Sequence, residues 1–256
     1  THAYGIPQKS EIIESILSLN NNLILIEDIS HAQGAIINNK LAGTLGEGSF
    51  MSMQGDKAIN AGEGGIVLTN KENIYNKLIY LSHLNRKTSN QDNVNLLSKI
   101  GFIGKSRMSP LGAITALNDV KNLRKKNEVI REKIKVIYKG LESLNNIHTP
   151  KIDNYKNTGG FHYGIPFFCN NKLLLQILKN EFKIIKYNWP ILDADENFHD
   201  PNKFLNLIYD EDPNIDKVFK NSNDIRDELY FFELKDFLTL SETKIKKKLN
   251  MIKNEN

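Results

Sequence analysis

Leu23-Ile24-Leu25-Ile26-Glu27-Asp28 is a short, unbroken apolar run that ends in two carboxylates. Its length suits a strand, and continuous apolarity without alternation predicts a strand buried on both faces, as in a parallel sheet. An acid at the C-terminal end of such a strand points into the crevice where open parallel sheets bind ligands. Upstream, Ile12, Ile13, Ile16 and Leu17 form a helical stripe within residues 8–20, which Asn20-Asn21-Asn22 ends. Helix, buried strand and acidic end in succession predict an α/β fold with a mainly parallel sheet.

The pattern continues downstream. Ser49–Met53 and Gly65–Thr69 read as strands, separated by a loop and the tight turn Gly62-Glu63-Gly64-Gly65; residues 72–82 read as a helix and 85–95 as a polar loop. Ser109-Pro110 starts a helix, with proline at a tolerated first-turn position and Leu111, Ile114, Leu117 and Val120 as its apolar stripe. A second helix, from about residue 128 to 145, carries Ile130, Ile134, Ile137, Leu141 and Leu144 on one face. The expected division is a large domain over residues 1–125, a bridging helix over 126–145 and a small α+β domain over 146–256. In that small domain strands are expected at 161–168 and near 182–185, helices at 171–182 and 241–253, and irregular chain over 186–215. The first residue is Thr1, and an upstream portion is expected.

Composition excludes little but narrows the class. With 40% hydrophobic and 25% charged residues the chain is ordinary globular material, and a net charge of +4 is mild. Lys244, Lys246, Lys247 and Lys248 read as the solvated face of a terminal helix, and no basic aromatic module for nucleic acid is evident. The single cysteine, Cys169, excludes an internal disulfide and a cysteine-based metal site and fits a cytoplasmic location. No apolar run approaches the ~20 residues of a membrane-spanning helix. Gly43-Thr44-Leu45-Gly46-Glu47-Gly48-Ser49 is glycine-rich but lacks the Gly-Lys-Ser/Thr ending of a phosphate loop.

Asp28, Ser52, Lys57 and the glycine turn at 62–65 carry the chemical signal. A lysine amine can bind an aldehyde as a Schiff base, a carboxylate can pair with a protonated pyridine nitrogen, and a hydroxyl can hold a phosphate. Those are parts of a pyridoxal phosphate site. Spacing alone leaves plainer roles open: Asp28 as a helix N-cap, Ser52 as an ordinary strand serine, Lys57 as a solvated lysine. His31 is also readable as a packed or capping histidine, and Lys105 as a loop lysine.

The strings themselves go further. Glu27-Asp28-Ile29-Ser30-His31-Ala32-Gln33-Gly34-Ala35, then Ser52-Met53-Gln54-Gly55-Asp56-Lys57, then Ala61-Gly62-Glu63-Gly64-Gly65, and finally Gly104-Lys105-Ser106-Arg107-Met108 resemble, in order and spacing, motifs of the DegT/StrS-type sugar aminotransferases. The resemblance is strongest over residues 1–120. It implies the aspartate-aminotransferase-like fold, a large domain followed by a small C-terminal one, and pyridoxal 5′-phosphate as cofactor. By the same resemblance Lys57 forms the Schiff base and shuttles the proton, Asp28 pairs with the pyridinium, and His31 lies beside the ring or its 3′-oxygen. Ser52 binds the phosphate, and Lys105 stands where many members place an asparagine that reaches the phosphate of the neighbouring subunit. The implied reaction transfers an amino group from an amino-acid donor, glutamate, to a nucleotide-linked keto-sugar within a homodimer. The dehydratase branch of the family has histidine in place of the lysine, so Lys57 favours amination. The family's upstream phosphate motif and ring-stacking aromatic are not in this chain. A fragment acting only as an interaction module is the remaining alternative.

Overall fold

The computed structural model describes residues 1–82, 106–161, 164–186 and 227–255. The chain divides into two units: Thr1–Glu132 with Ile152–Tyr163, and Lys133–Lys151 with Gly164–Asn256.

The first unit is built on helix α1 (Ser10–Leu17), strand β1 (Ile26–Asp28), a hairpin of β2 (Ile36–Ile37) and β3 (Lys40–Leu41), strands β4 (Gly48–Ser52) and β5 (Gly65–Leu68), and helix α2 (Glu72–Ser82). The sheet order is β1-β4-β5. β1 runs parallel to β4, with Asp28 opposite Phe50, and β5 is antiparallel to β4, with Gly65 opposite Ser52. The hairpin had not been expected. Asn38 and Asn39 sit between its strands at φ 48° and 62°, the left-handed pair that a two-residue turn demands and asparagine tolerates.

Two expectations need correction. The run Leu23–Ile26 is not buried: the strand starts only at Ile26, and Leu23, Ile24 and Ile26 are 46%, 69% and 61% exposed. Among the described residues β1 stands at the end of the sheet with β4 as its neighbour, and Glu27 is its buried residue. The two helices expected after Ser109 are one, α3 (Pro110–Leu141). The polar stretch 121–127 that looked like an interruption holds no glycine or proline and is rich in good helix formers, so the helix runs through it. The stripe Leu111, Ile114, Leu117 and Val120 is exposed, while Gly112 and Ala116 pack inward. A Cβ on Gly112 would lie 2.5 Å from the Ala61 carbonyl oxygen, so this approach of helix to loop is open only to glycine.

The second unit holds β6 (Ile147–His148), β7 (Ile165–Cys169), α4 (Lys172–Glu181), β8 (Ile184–Ile185), β9 (Leu229–Phe232), α5 (Leu234–Thr239) and α6 (Glu242–Glu255). Its sheet is antiparallel throughout, in the order β6-β7-β9-β8. Asn171 caps α4, its side chain accepting from the Leu174 amide at 3.0 Å. Phe232 is fully buried between Phe167 (4.7 Å between ring centres) and Phe182 (5.2 Å, edge-on). Tyr138 of α3 donates its hydroxyl to the Pro166 carbonyl at 2.7 Å. The elements expected at 161–168, 171–182, 182–185 and 241–253 correspond to β7, α4, β8 and α6, whereas β9 and α5 were missed. The loop expected at 85–95 and nearly all of the irregular stretch at 186–215 lie outside the described residues.

Candidate active site

The register of the first sheet relates two of the predicted residues, Asp28 and Ser52. Asp28 and Ser52 are the last residues of two neighbouring parallel strands. Because Asp28 pairs with Phe50, and Ser52 lies two residues further on, both side chains leave the same face of the sheet. A relay of hydrogen bonds joins them. The Ser30 amide donates to Asp28 Oδ1 at 2.9 Å, and the Ser52 amide donates to Ser30 Oγ at 2.9 Å. No helix follows Asp28, so the capping role is replaced by a turn that fixes the carboxylate.

Asp28 is also anchored through its neighbour. Glu27 points to the opposite face and is 2% exposed. Its carboxylate accepts from the amides of Gly43 (2.8 Å), Leu45 (2.7 Å) and Gly46 (3.1 Å), and from His2 Nε2 at 3.2 Å. The His2 amide in turn donates to the Asp28 carbonyl at 3.0 Å. His2 Nδ1 accepts from the Gln8 amide at 3.0 Å, so the neutral ring carries its proton on Nε2. Burial pushes the His2 pKa below its usual value, partly offset by Glu27.

Lys57 follows β4 in a closed loop. The Met53 amide donates to the Gly64 carbonyl (2.9 Å) and the Ala61 amide to the Met53 carbonyl (2.8 Å), which pins the loop's base. The Lys57 amide donates to the Gln54 carbonyl at 3.0 Å. Met53, Ile59 and Ala61 of this loop join Ala116 of α3 in an apolar floor. Lys57 is 8% exposed. Burial lowers its pKa from that of an ordinary lysine, while the charges of Asp56 and then Asp28 act in the opposite sense.

His31 lies in the turn after β1, its ring 6.0 Å from that of Tyr4, whose backbone is left-handed at φ 52°. Lys105 lies outside the described residues. Ser106 and Arg107 are exposed, and Met108 packs against the apolar floor. A cavity of about 910 Å³ opens between β5, α2 and residues 106–109, lined by Glu63, Gly64, Leu68, Tyr75 and Arg107 among others. Asp28, Ser52 and Lys57 do not line it. Among the described residues no His/Cys/Asp/Glu group could hold a metal ion, and no helix is long and apolar enough to cross a membrane.

Gln33 and Asn127 escaped the reading of the sequence. Both are buried, and both make hydrogen bonds that shape the loops around Lys57. For Asn127 a signal existed: it shares the helical spacing of Ile130, Ile134, Ile137 and Leu141, a polar residue on an apolar stripe. Gln33 offered none, since nothing in its neighbours separates a buried amide from a solvated one.

A family model matches residues 1–239: the DegT/DnrJ/EryC1/StrS aminotransferase family. The chain belongs to that family. Among its members, the GDP-perosamine synthase of Escherichia coli O157:H7 is 39% identical over 80 residues, which are 31% of this chain and 21% of that protein. The UDP-4-amino-4,6-dideoxy-N-acetyl-beta-L-altrosamine transaminase of Campylobacter jejuni is 30% identical over 172 residues, 64% of this chain and 44% of that one. In three dimensions, 99% of this DegT-family chain superposes on 65% of 3-amino-5-hydroxybenzoic acid synthase, with a TM-score of 0.72 at 16% identity. A GDP-4-keto-6-deoxy-D-mannose-3-dehydratase from E. coli, solved with bound hydrated PLP, gives 0.66 at 18% identity, over 98% of this chain and 65% of that one. These likenesses establish the aspartate-aminotransferase-like fold. The chain spans less than two-thirds of the length of each of these proteins.

Proposed function

We propose that this chain is part of a pyridoxal-phosphate-dependent aminotransferase that delivers an amino group, taken from glutamate, to a nucleotide-linked keto-sugar. The observation that supports the reading is a lysine 8% exposed in the loop that follows β4, where the ends of β1 and β4 present Asp28 and Ser52 on one face of the sheet. The nucleotide-sugar class is supported by two relatives whose names specify GDP- and UDP-linked amino sugars.

The residues fit the cofactor by the chemistry of their donor set. Pyridoxal phosphate, when bound, supplies an aldehyde for a lysine and an electron-withdrawing pyridinium ring. In this reading Lys57 Nζ is the amine that attaches. A pKa lowered by burial gives it a larger unprotonated fraction at neutral pH than an exposed lysine has, and the unprotonated amine is both the nucleophile and the base. The same Nζ, when free, would take and return the proton at the substrate carbon. Asp28, held by the Ser30 amide, would pair with the pyridinium nitrogen and keep it protonated. The Ser52 hydroxyl accepts from the Gln54 amide at 3.3 Å and keeps its own proton for a phosphate oxygen. By the family resemblance His31 would lie beside the ring, and the role expected for Lys105 is a contact to the phosphate in the second subunit of a homodimer.

The test is the donor half-reaction. Protein loaded with pyridoxal phosphate is mixed with glutamate, and 2-oxoglutarate is measured alongside loss of the visible absorption. One 2-oxoglutarate per site, absent in Lys57→Ala, supports the reading. A loaded protein that releases no 2-oxo acid from glutamate or from any other amino acid overturns it.

A further inference from the structure

We infer that Gln33 is the positioning residue for the Lys57 amine, because its one carboxamide ties together the two ends of the loop that carries that lysine. The inference rests on the proposed role of Lys57. The Gln33 Nε2 donates to the Ser52 carbonyl at 2.8 Å, and its Oε1 accepts from the Ile59 amide at 2.7 Å. Ser52 is the last residue of β4, and Ile59 lies two residues beyond Lys57. A side chain 1% exposed therefore bridges the segment that contains Lys57 as a staple bridges two sheets of paper.

The staple is itself clamped. Asn127 Nδ2 donates to the Gln33 carbonyl at 3.0 Å, and Asn127 Oδ1 accepts from the Gly160 amide at 3.3 Å. A Cβ on Gly159 would lie 2.7 Å from the Gln33 carbonyl oxygen, and one on Gly160 would lie 2.8 Å from the Gln33 amide nitrogen. The backbone of Gln33 is thus gripped from two sides while its side chain reaches forward. A buried donor and a buried acceptor, both on the Lys57 loop, depend on this one amide. No shorter or apolar side chain meets both. Positions of reacting groups that shift by an ångström lose large factors in rate, which is why the length and polarity of residue 33 bear on Lys57.

The experiment uses the chain without cofactor, so that it does not depend on activity. Wild type, Gln33→Met and Gln33→Glu are labelled with limiting acetic anhydride across a pH series. Acetylation of Lys57 is then quantified by mass spectrometry against the exposed Lys247. Methionine fills the space of glutamine without its hydrogen bonds; glutamate keeps the bond from the Ile59 amide and loses the donor to Ser52. The Lys57 titration midpoint is expected to rise toward an ordinary lysine in Gln33→Met and to fall between the two in Gln33→Glu. Ser49→Ala removes a buried bond to the Gly43 carbonyl on the other sheet face and serves as a control for general loosening. It is expected to lower stability without moving the Lys57 midpoint. Borohydride capture of pyridoxal phosphate at Lys57 is expected to slow at least tenfold in Gln33→Met. A Lys57 midpoint unchanged in Gln33→Glu and, where it folds, Gln33→Met overturns the inference, as does an equal shift in Ser49→Ala. Failure of wild type to capture pyridoxal phosphate would instead overturn the proposed function and leave the midpoint comparison standing.

Discussion

Asp28 and Lys57 are each unremarkable as residue types, and what distinguishes them is what their neighbours do to them. Asp28 spends one oxygen on the Ser30 amide and has its backbone held by His2. Asp28→Asn keeps that amide bond and removes the charge, so the fold should survive while the donor half-reaction slows by roughly 10²-fold, read by stopped-flow absorbance. His2 offers a separate test by pH. Its folded pKa lies below its unfolded value near 6.5, so between the two the unfolded chain binds the extra proton. Stability should therefore fall as pH drops through that window and be recovered above it. His2→Gln should flatten this part of the urea-midpoint profile between pH 7 and 5; an unchanged slope would assign the acid sensitivity elsewhere. At this scale Asp28, Ser52 and Lys57 were named from their strings, and the fold places Asp28 and Ser52 on one sheet face and buries Lys57. Gln33, Asn127 and the His2–Glu27 pair were not, because their roles arise from burial, and burial of a polar side chain is a property of the fold.

Between the elements of the first unit, helix α3 does the bracing. It enters against Ala61 through Gly112 and grips residues 33–34 and 158–160 through Asn127 and Arg131. Asn127→Ala leaves the Gln33 carbonyl and the Gly160 amide without their partner. The expected cost is about 1–3 kcal/mol, visible as a lower urea midpoint. Gly112→Val forces side-chain atoms into the Ala61 carbonyl and is expected to cost at least as much. Elements with a strong local signal were legible, as β4, β5, α2, α4 and α6 illustrate. The errors have physical causes. The run Leu23–Ile26 misled because exposed leucines and isoleucines are indistinguishable in sequence from buried ones, and the exposed apolar stripe at the start of α3 shows the same limit.

Over the whole molecule, the expected division into 1–125, 126–145 and 146–256 meets a chain that crosses between its two units more than once. Residues 152–163 return to the first unit, where Gly159 and Gly160 press on the turn at 31–35. That return is a long-range pairing of two glycines with a turn more than a hundred residues away, and no local pattern announces it. The second unit rests on its aromatic core, and Phe232→Ala should destabilise it by about 3–5 kcal/mol, measured by the loss of near-ultraviolet circular dichroism on heating.

The claim on which the rest depends is that one lysine of this chain carries the cofactor. Protein incubated with pyridoxal phosphate, reduced with borohydride and digested should yield the phosphopyridoxyl group on the peptide containing Lys57, in preference to every exposed lysine, and Lys57→Ala should lose that label. Label spread over surface lysines, with Lys57 unmodified, would contradict the account.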